Sequence, residues 1–191
     1  MVDSLHYIIK KIISEDEKKL LDTFGIKKDN FILMTLHRPT NVDDKEKVVY
    51  LLELFNKISH FIKVVFPIHP RTKKNIENWR LKFDNDNNFL MIDSMRYKDF
   101  IIMEKNAKLV ITDSGGVQQE TTILNIPCLT VRENTEWQES ITYGTNELVS
   151  MDFLYDRVLS LLKGKKKKSI LPPLWDGRAS ERILKVLSDA L

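Results

Sequence analysis

The sequence has little cysteine and no long apolar run. Its 191 residues include one cysteine, Cys128, which excludes an internal disulfide and fits a reducing compartment. No apolar stretch approaches the roughly 20 residues of a membrane-spanning helix. Asp3 and His6 interrupt the apolar residues near the N-terminus, which is not a signal-peptide pattern. We therefore expect a cytoplasmic protein with no membrane association.

An excess of one charge is also lacking. The net charge is +3, too small to indicate nucleic-acid binding, and we expect none. Much of the excess lies in residues 163–168, where lysines cluster around one glycine. This run could contact a membrane or RNA, but the commoner interpretation is a solvated surface loop. Apolar residues make up 42% of the chain, which is enough for the core of one domain.

Short apolar runs rich in β-branched residues alternate with amphipathic segments. Nearly continuous apolar strands are typical of a parallel sheet covered on both faces. The pattern predicts an α/β fold, a Rossmann-like parallel sheet of about six strands flanked by helices. The expected strands are residues 31–36, 63–68, 89–92, 108–112, 128–131 and 147–149. The expected helices are residues 3–24, 44–61, 72–83, 97–106, 116–124, 135–143, 152–162 and 178–191.

One segment joins an expected strand to an expected helix through two glycines. Gly115 and Gly116 allow a ligand to approach the backbone, and the N–H groups of a first helical turn point towards such a ligand. Ser114 adds a hydroxyl donor, and Glu120 lies at a suitable reach for a ribose diol. The segment lacks the lysine of a Walker loop and the third glycine of G-x-G-x-x-G. Alone, this pattern is more often a plain tight turn than a phosphate site.

The loops that follow the other strands strengthen that hypothesis. Ligands of doubly wound sheets bind beyond the carboxyl ends of the strands. The post-strand loops would therefore bring histidines, arginines, a Ser-Gly-Gly turn and a glutamate to one rim, which suits an anionic ligand such as a nucleotide sugar. These loops are residues 37–41, 69–72, 93–96, 114–116 and 132–136.

The order and spacing of these motifs resemble the non-hydrolysing UDP-N-acetylglucosamine 2-epimerases. The resemblance extends over essentially all of the chain and rests on residues 35–43, 69–72, 112–118, 132–136, 144–146 and 176–181. It implies the C-terminal half of a GT-B architecture. Residues 1–170, beginning with the helix over 3–24, would form the UDP-binding domain, and residues 171–191 a linker and C-terminal helix. The N-terminal catalytic half of the family would be absent.

The resemblance also implies roles for individual residues. The diphosphate would lie on Ser114, Gly115 and Gly116, with the ribose on Glu120. His37 would be the catalytic residue, assisting departure of UDP. The remaining expected substrate-binding residues are Arg38, Met95, Phe100 against the uracil, Arg132, Thr135 and Glu136. Gln119 and Met95 depart from the more usual residues of the family.

Several of these residues also have simpler interpretations. His37 taken alone would be an ordinary loop histidine, and Phe100 could belong to the core. Glu136 could favour the start of a following helix through its charge. His69 could shape its loop, or it could line the cleft or a regulatory site.

The reaction implied by the resemblance is the interconversion of UDP-GlcNAc and UDP-ManNAc by elimination and re-addition of UDP, as in polysaccharide biosynthesis. It would use no cofactor and no metal. The expected partners are UDP, UDP-GlcNAc, the N-terminal domain of the family where that domain is separately encoded and, through exposed surface, a second copy of the chain. The alternatives are half of a GT-B glycosyltransferase or hydrolysing epimerase, or a non-catalytic binding module.

Overall fold

A six-stranded parallel sheet forms the centre of the protein. The structure, a computed structural model, describes residues 2–81 and 88–190. The sheet order is β3-β2-β1-β4-β5-β6, and every neighbouring pair is parallel. All six expected strands are confirmed within two residues at their ends. They are β1 (Phe31–Thr35), β2 (Lys63–Pro67), β3 (Phe89–Ile92), β4 (Leu109–Thr112), β5 (Cys128–Val131) and β6 (Asn146–Val149).

Helices cover both faces of this sheet. In the described residues they are α1 (Val2–Ile9), α2 (Ser14–Thr23), α3 (Pro39–Val42), α4 (Lys45–Ser59), α5 (Pro70–Asn78), α6 (Tyr97–Asn106), α7 (Gly115–Leu124), α8 (Gln138–Thr142), α9 (Met151–Leu162) and α10 (Ala179–Ala190). Side chains alternate along β1, so that Ile32 and Met34 pack beneath α4, α5 and α9. Phe31 and Leu33 pack on the other face, with α2, α6 and α7. The predicted doubly wound α/β fold is confirmed.

The expected single helix over residues 3–24 is wrong. The helix is interrupted between Ile9 and Ser14, where Ile13 has an extended backbone with φ −105° and ψ 155°. The two halves pack on different neighbours, since α1 contacts α7 whereas α2 contacts α6. The β-branched pair Ile12 and Ile13 favours a break at this point because such side chains disfavour helix.

Three other expected helices have different bounds. The segment expected over 72–83 begins two residues earlier, at Pro70, and ends at Asn78, while residues 82 and 83 lie outside the described residues. The segment expected over 135–143 shortens to α8, because Thr135 is buried and turns its hydroxyl to Gln118. The last helix ends at Ala190, and Leu191 is not among the described residues.

Candidate functional site

The site begins where the strand order reverses, between β1 and β4. These central strands are paired through Thr35 and Thr112, and the connections that follow them lead to opposite sides of the sheet. A crevice at such a switch point is where doubly wound folds bind ligands. His37 and Asp113 follow the two strands directly, so the topology brings them together.

Asp113 is the hub of this crevice. Its fully buried carboxylate accepts hydrogen bonds from the backbone N–H groups of His37 and Arg38, at 3.1 and 2.9 Å, and from Asn41 Nδ2 at 2.9 Å. Burial alone would raise the pKa of Asp113, but the hydrogen bonds from His37, Asn41 and Arg38 outweigh it and hold that pKa below its ordinary value. An ionised carboxylate therefore ties the loop after β1 to the end of β4.

The His37 side chain completes a histidine–aspartate pair. Its Nδ1 lies 2.9 Å from Asp113 Oδ1, and the side chain is 36% exposed. With Nδ1–H donated to the carboxylate, Nε2 is the nitrogen left for proton exchange with a ligand, as in catalytic pairs of this kind. The His69 ring lies 5.1 Å from the His37 ring between centroids. Burial, followed by the charge of His37, lowers the pKa of His69, so a neutral ring is favoured beside His37.

His69 also shapes its own loop. It is the N-cap of α5, and its Nδ1 accepts the backbone N–H of Arg71 at 3.2 Å. Arg71 in turn forms a two-pronged ion pair with Asp43, through Nε at 2.7 Å and through Nη2. His69 therefore shapes its loop by capping α5, and its ring also lies against His37 in the crevice.

The glycine turn after β4 opens α7. Ser114 is the N-cap residue, yet its side chain makes no capping hydrogen bond, and its backbone N–H donates to Thr112 Oγ1 at 3.0 Å. Gly115 and Gly116 are the first two helical residues, where N–H groups have no acceptor within the helix. The turn therefore has the geometry that binds anions at helix N-termini, with Ser114 at its N-cap position.

Glu120 lies on α7 one turn beyond the glycines and is already engaged. Its buried carboxylate accepts the Tyr97 hydroxyl at 2.8 Å, and burial raises its pKa. The pKa of Tyr97 is also raised, by burial and then by that hydrogen bond, so the phenol stays protonated as the donor.

Glu104 is fully buried, and neither of its carboxyl oxygens has a partner within the described part of the chain. The charge of Glu120 is the second cause, after burial, that raises the pKa of Glu104.

Arg132, Thr135 and Glu136 belong to one loop after β5. Arg132 Nη2 lies 2.7 Å from Glu136 Oε2, and Arg38 Nη2 lies 3.6 Å from Glu136 Oε1. Thr135 is buried, donates to Gln118 Oε1 at 2.7 Å and accepts the N–H of Trp137 at 3.1 Å. Thr135 therefore fixes the loop against α7, while the two arginines and Glu136 form its polar edge.

Met95 lies in the loop after β3, and Phe100 lies on α6. Both are partly buried and pack against the core cluster on the α6 and α7 face. Phe100 thus contributes to packing, as its simpler interpretation expects, while retaining exposed surface beside the turn that carries Met95.

An open cavity of about 760 Å³ lies beside this edge. It is lined by Arg38, Asn41 and Arg132, together with residues of α4 and the start of α9. No group of three or more metal-binding side chains was found among the described residues. In the same part of the chain, no helix is both long and apolar enough to cross a bilayer.

Sequence reasoning missed the residues that hold the site together. The sequence pattern assigns no role to Asp113, which lies between Thr112 and Ser114, and predicts no contact for Asn41 or Tyr97. A polar residue directly after a buried strand was the available signal for Asp113. Nothing local indicates that Tyr97 meets Glu120, since 23 positions separate them.

A family model described as UDP-N-acetylglucosamine 2-epimerase matches residues 1–188. The chain belongs to the UDP-N-acetylglucosamine 2-epimerase family. A curated relative with that name from Methanocaldococcus jannaschii is 39% identical over 169 residues. The match covers 84% of this chain and 45% of the relative. A UDP-2,3-diacetamido-2,3-dideoxy-D-glucuronate 2-epimerase from Pseudomonas aeruginosa is 38% identical, with 84% and 45% covered.

The solved structures agree with this membership. The Methanocaldococcus jannaschii UDP-GlcNAc 2-epimerase, crystallised with UDP-GlcNAc and UDP, superposes with a TM-score of 0.82 at 36% identity. The superposition covers 98% of this chain and 52% of that structure. The chain thus spans about half the length of the relatives that it matches, and its fold corresponds to half of a GT-B architecture.

Proposed function

We propose that this chain is the UDP-sugar-binding domain of a UDP-GlcNAc 2-epimerase. Residues 1–170 would form the domain, and residues 171–191 the linker and terminal helix. The observation that carries the proposal is the convergence, at one switch point, of the His37–Asp113 pair with the glycine turn of α7. The relative solved with UDP-GlcNAc and UDP supports a nucleotide sugar as the ligand.

In this proposal the ligand lies along the crevice in a fixed order. The uracil lies between Phe100 and the backbone at Met95, the ribose hydroxyls on Glu120, and the diphosphate on Ser114, Gly115 and Gly116. Tyr97 already donates to Glu120, so the ribose would share that carboxylate with the phenol. Arg38 and Arg132 lie at the phosphate end, where guanidinium groups match phosphate oxygens in pairs.

The proposed reaction is inversion at C2, from UDP-GlcNAc to UDP-ManNAc, by elimination of UDP and its re-addition. His37 donates a proton from Nε2 to the departing phosphate oxygen as the bond to the sugar breaks. Asp113 keeps the imidazole oriented and stabilises the imidazolium form. The N–H groups of the glycine turn and the two arginines stabilise the negative charge that develops on UDP.

The base that removes the C2 proton is assigned to the N-terminal half of the GT-B architecture, which this chain does not span. The chain alone should then bind UDP weakly and leave UDP-GlcNAc unchanged, and adding that domain should restore epimerisation. A second copy of the chain is the other partner we propose, because α10 exposes Ile183, Leu184 and Leu187 on its apolar face. A cytoplasmic location remains our expectation from the single, buried Cys128.

The Pseudomonas aeruginosa relative favours a second candidate of the same reaction class. Because that protein is named for a diacetamido-glucuronate substrate, the sugar here could carry a carboxylate at C6. Product analysis of the reconstituted enzyme separates the candidates. UDP-ManNAc as the product indicates the proposed reaction. An epimerised UDP-linked uronate indicates the second candidate, and free ManNAc indicates a hydrolysing enzyme.

Calorimetry with UDP tests the nucleotide site directly. Ser114→Ala and Glu120→Ala should each weaken binding about tenfold, the loss expected for one strong hydrogen bond to a charged or ribose group. Ser180→Ala and Glu53→Ala are matched controls, because both residues are exposed and neither belongs to the loops that form the crevice. Equal weakening by controls and site variants, or no binding at millimolar UDP, would contradict the proposal. Thermal unfolding of each variant checks that it is folded.

A further inference from the structure

The Glu136 carboxylate lies over the first residue of α7. A methyl group placed on Gly115 would come within 2.6 Å of Glu136 Oε1 and 2.9 Å of Trp137 Nε1. The carboxylate therefore touches the glycine turn from above, at the end of the helix that attracts negative charge. In the proposed function, the diphosphate lies at this same position.

Two guanidinium groups hold the carboxylate there. Arg132 Nη2 approaches Glu136 Oε2 at 2.7 Å, and Arg38 Nη2 approaches the other oxygen at 3.6 Å. The hydrogen bond from Arg132 is the largest cause of a lowered pKa for Glu136, so the side chain is ionised. The carboxyl group is half-exposed, which leaves it free to swing into solvent.

Arg132 is only partly satisfied by this arrangement. Its side chain is 9% exposed, and its Nη1 atom is buried with no hydrogen-bond partner within the described residues. An orphaned donor on a buried cation is costly, because its desolvation is not repaid. A carboxylate has two oxygens to share between two arginines, whereas a diphosphate offers several more.

We infer that Glu136 is a built-in competitor for the diphosphate, and that binding proceeds by exchange of one anion for the other. This inference rests on the proposed function. The incoming diphosphate displaces the Glu136 carboxylate from the glycine turn, and Arg38 and Arg132 pass from carboxylate to phosphate. Because the ligand must replace a full negative charge, the exchange selects multiply charged groups and gives uridine no advantage.

A competing role and a direct contact predict opposite effects of Glu136→Gln on ligand affinity. If Glu136 bound a sugar or ribose hydroxyl, then Glu136→Gln would weaken binding or leave it unchanged. If Glu136 competes, then Glu136→Gln removes the resident charge while keeping the shape of the side chain. The variant should bind anions more tightly because the two arginines are already released.

The experiment compares wild type, Glu136→Gln and the control Glu133→Gln by calorimetry with UDP, inorganic pyrophosphate and uridine. Glu133 is an exposed neighbour on the same loop, which makes it a matched change of charge. Glu136→Gln should lower the Kd for UDP and for pyrophosphate by about three- to tenfold, as expected when a half-exposed carboxylate stops competing for two cations. Its Kd for uridine, and both anion affinities of Glu133→Gln, should match wild type.

Each other outcome is decisive. UDP binding that is equal or weaker in Glu136→Gln overturns the exchange but leaves the nucleotide site standing. If Glu136→Gln binds pyrophosphate more tightly than wild type but none of the three proteins binds UDP, the exchange is supported and the proposed function is contradicted. Failure of all three folded proteins to bind either anion refutes both, and thermal unfolding establishes that they are folded.

Discussion

Replacing Asp113 by asparagine should destabilise the protein strongly, because the carboxylate is the acceptor for four donor groups. These are the backbone N–H groups of His37 and Arg38, Asn41 Nδ2 and His37 Nδ1. Asparagine keeps one acceptor oxygen and turns an NH₂ donor towards groups that are themselves donors. Breaking a buried, hydrogen-bonded charge in this way costs about 3–5 kcal/mol.

Urea unfolding followed by circular dichroism at pH 7 measures this cost. Asp189→Asn on the exposed face of α10 is the control and should change the free energy of unfolding by less than about 0.5 kcal/mol. If Asp113→Asn lowers the free energy of unfolding by less than about 1 kcal/mol, with an unchanged m-value, then Asp113 is not the central hydrogen-bond acceptor that we describe. Such a result would mean that the donors find other acceptors or water.

The pH dependence supplies a second check on the same residue. The folded pKa of Asp113 lies below the ordinary value of 3.8. The ionised group therefore stabilises the fold above that value, and the contribution is lost as the pH falls through the folded pKa. The difference in stability between wild type and Asp113→Asn should be largest above about pH 4 and shrink below it.

Three further substitutions test the packing around the site. Glu104→Met should raise the free energy of unfolding at pH 8 by about 1–3 kcal/mol, because it removes a buried carboxyl group without a partner in the described chain. Gly144→Ala should cost about 1–3 kcal/mol, since its methyl would lie 2.6 Å from the carbonyl oxygen of Ser140. Asn146→Ala should cost about 2–4 kcal/mol, because its amide bonds Gln118, Thr121, Thr122 and Thr130 in the core. All three are measured by urea unfolding.

Each of these expectations has its own contrary result. The raised pKa of Glu104 means that wild type loses stability as the pH rises above 4.5, so an identical pH profile in Glu104→Met contradicts the assignment. Gly164→Ala is the contrast for Gly144→Ala, since its methyl meets nothing within 4 Å and adds only the strain of φ +87°. A loss in Gly144→Ala no larger than that in Gly164→Ala would contradict the steric clash at Ser140. Equal losses for Asn146→Ala and exposed Asn56→Ala would show that the buried amide network contributes nothing.

The sequence was sufficient for the sheet because the sheet follows from local pattern. Apolar runs such as residues 128–131 are short, β-branched and bounded by turn signals, and each formed a strand close to its expected bounds. The N-terminal helix was mispredicted because its periodicity continues across Ile12 and Ile13, while α1 and α2 pack on different neighbours. The β-branched pair only weakens the helix locally, and tertiary packing of the two halves on different neighbours decided the break.

The same distinction explains which parts of the site could be predicted. Strand ends specify which loops share a rim, so His37, Ser114 and Arg132 could be grouped from sequence order and the rule for parallel sheets. The pairs that give the rim its chemistry join residues far apart in the chain, as with His37 and Asp113, 76 positions apart. The partner of each such residue depends on which of several nearby polar groups forms the hydrogen bond, and burial determines which one does. A buried donor without an acceptor loses free energy that a solvated one does not, so Asp113 collects the donors of its loop while Glu136, at the half-exposed edge, remains exchangeable.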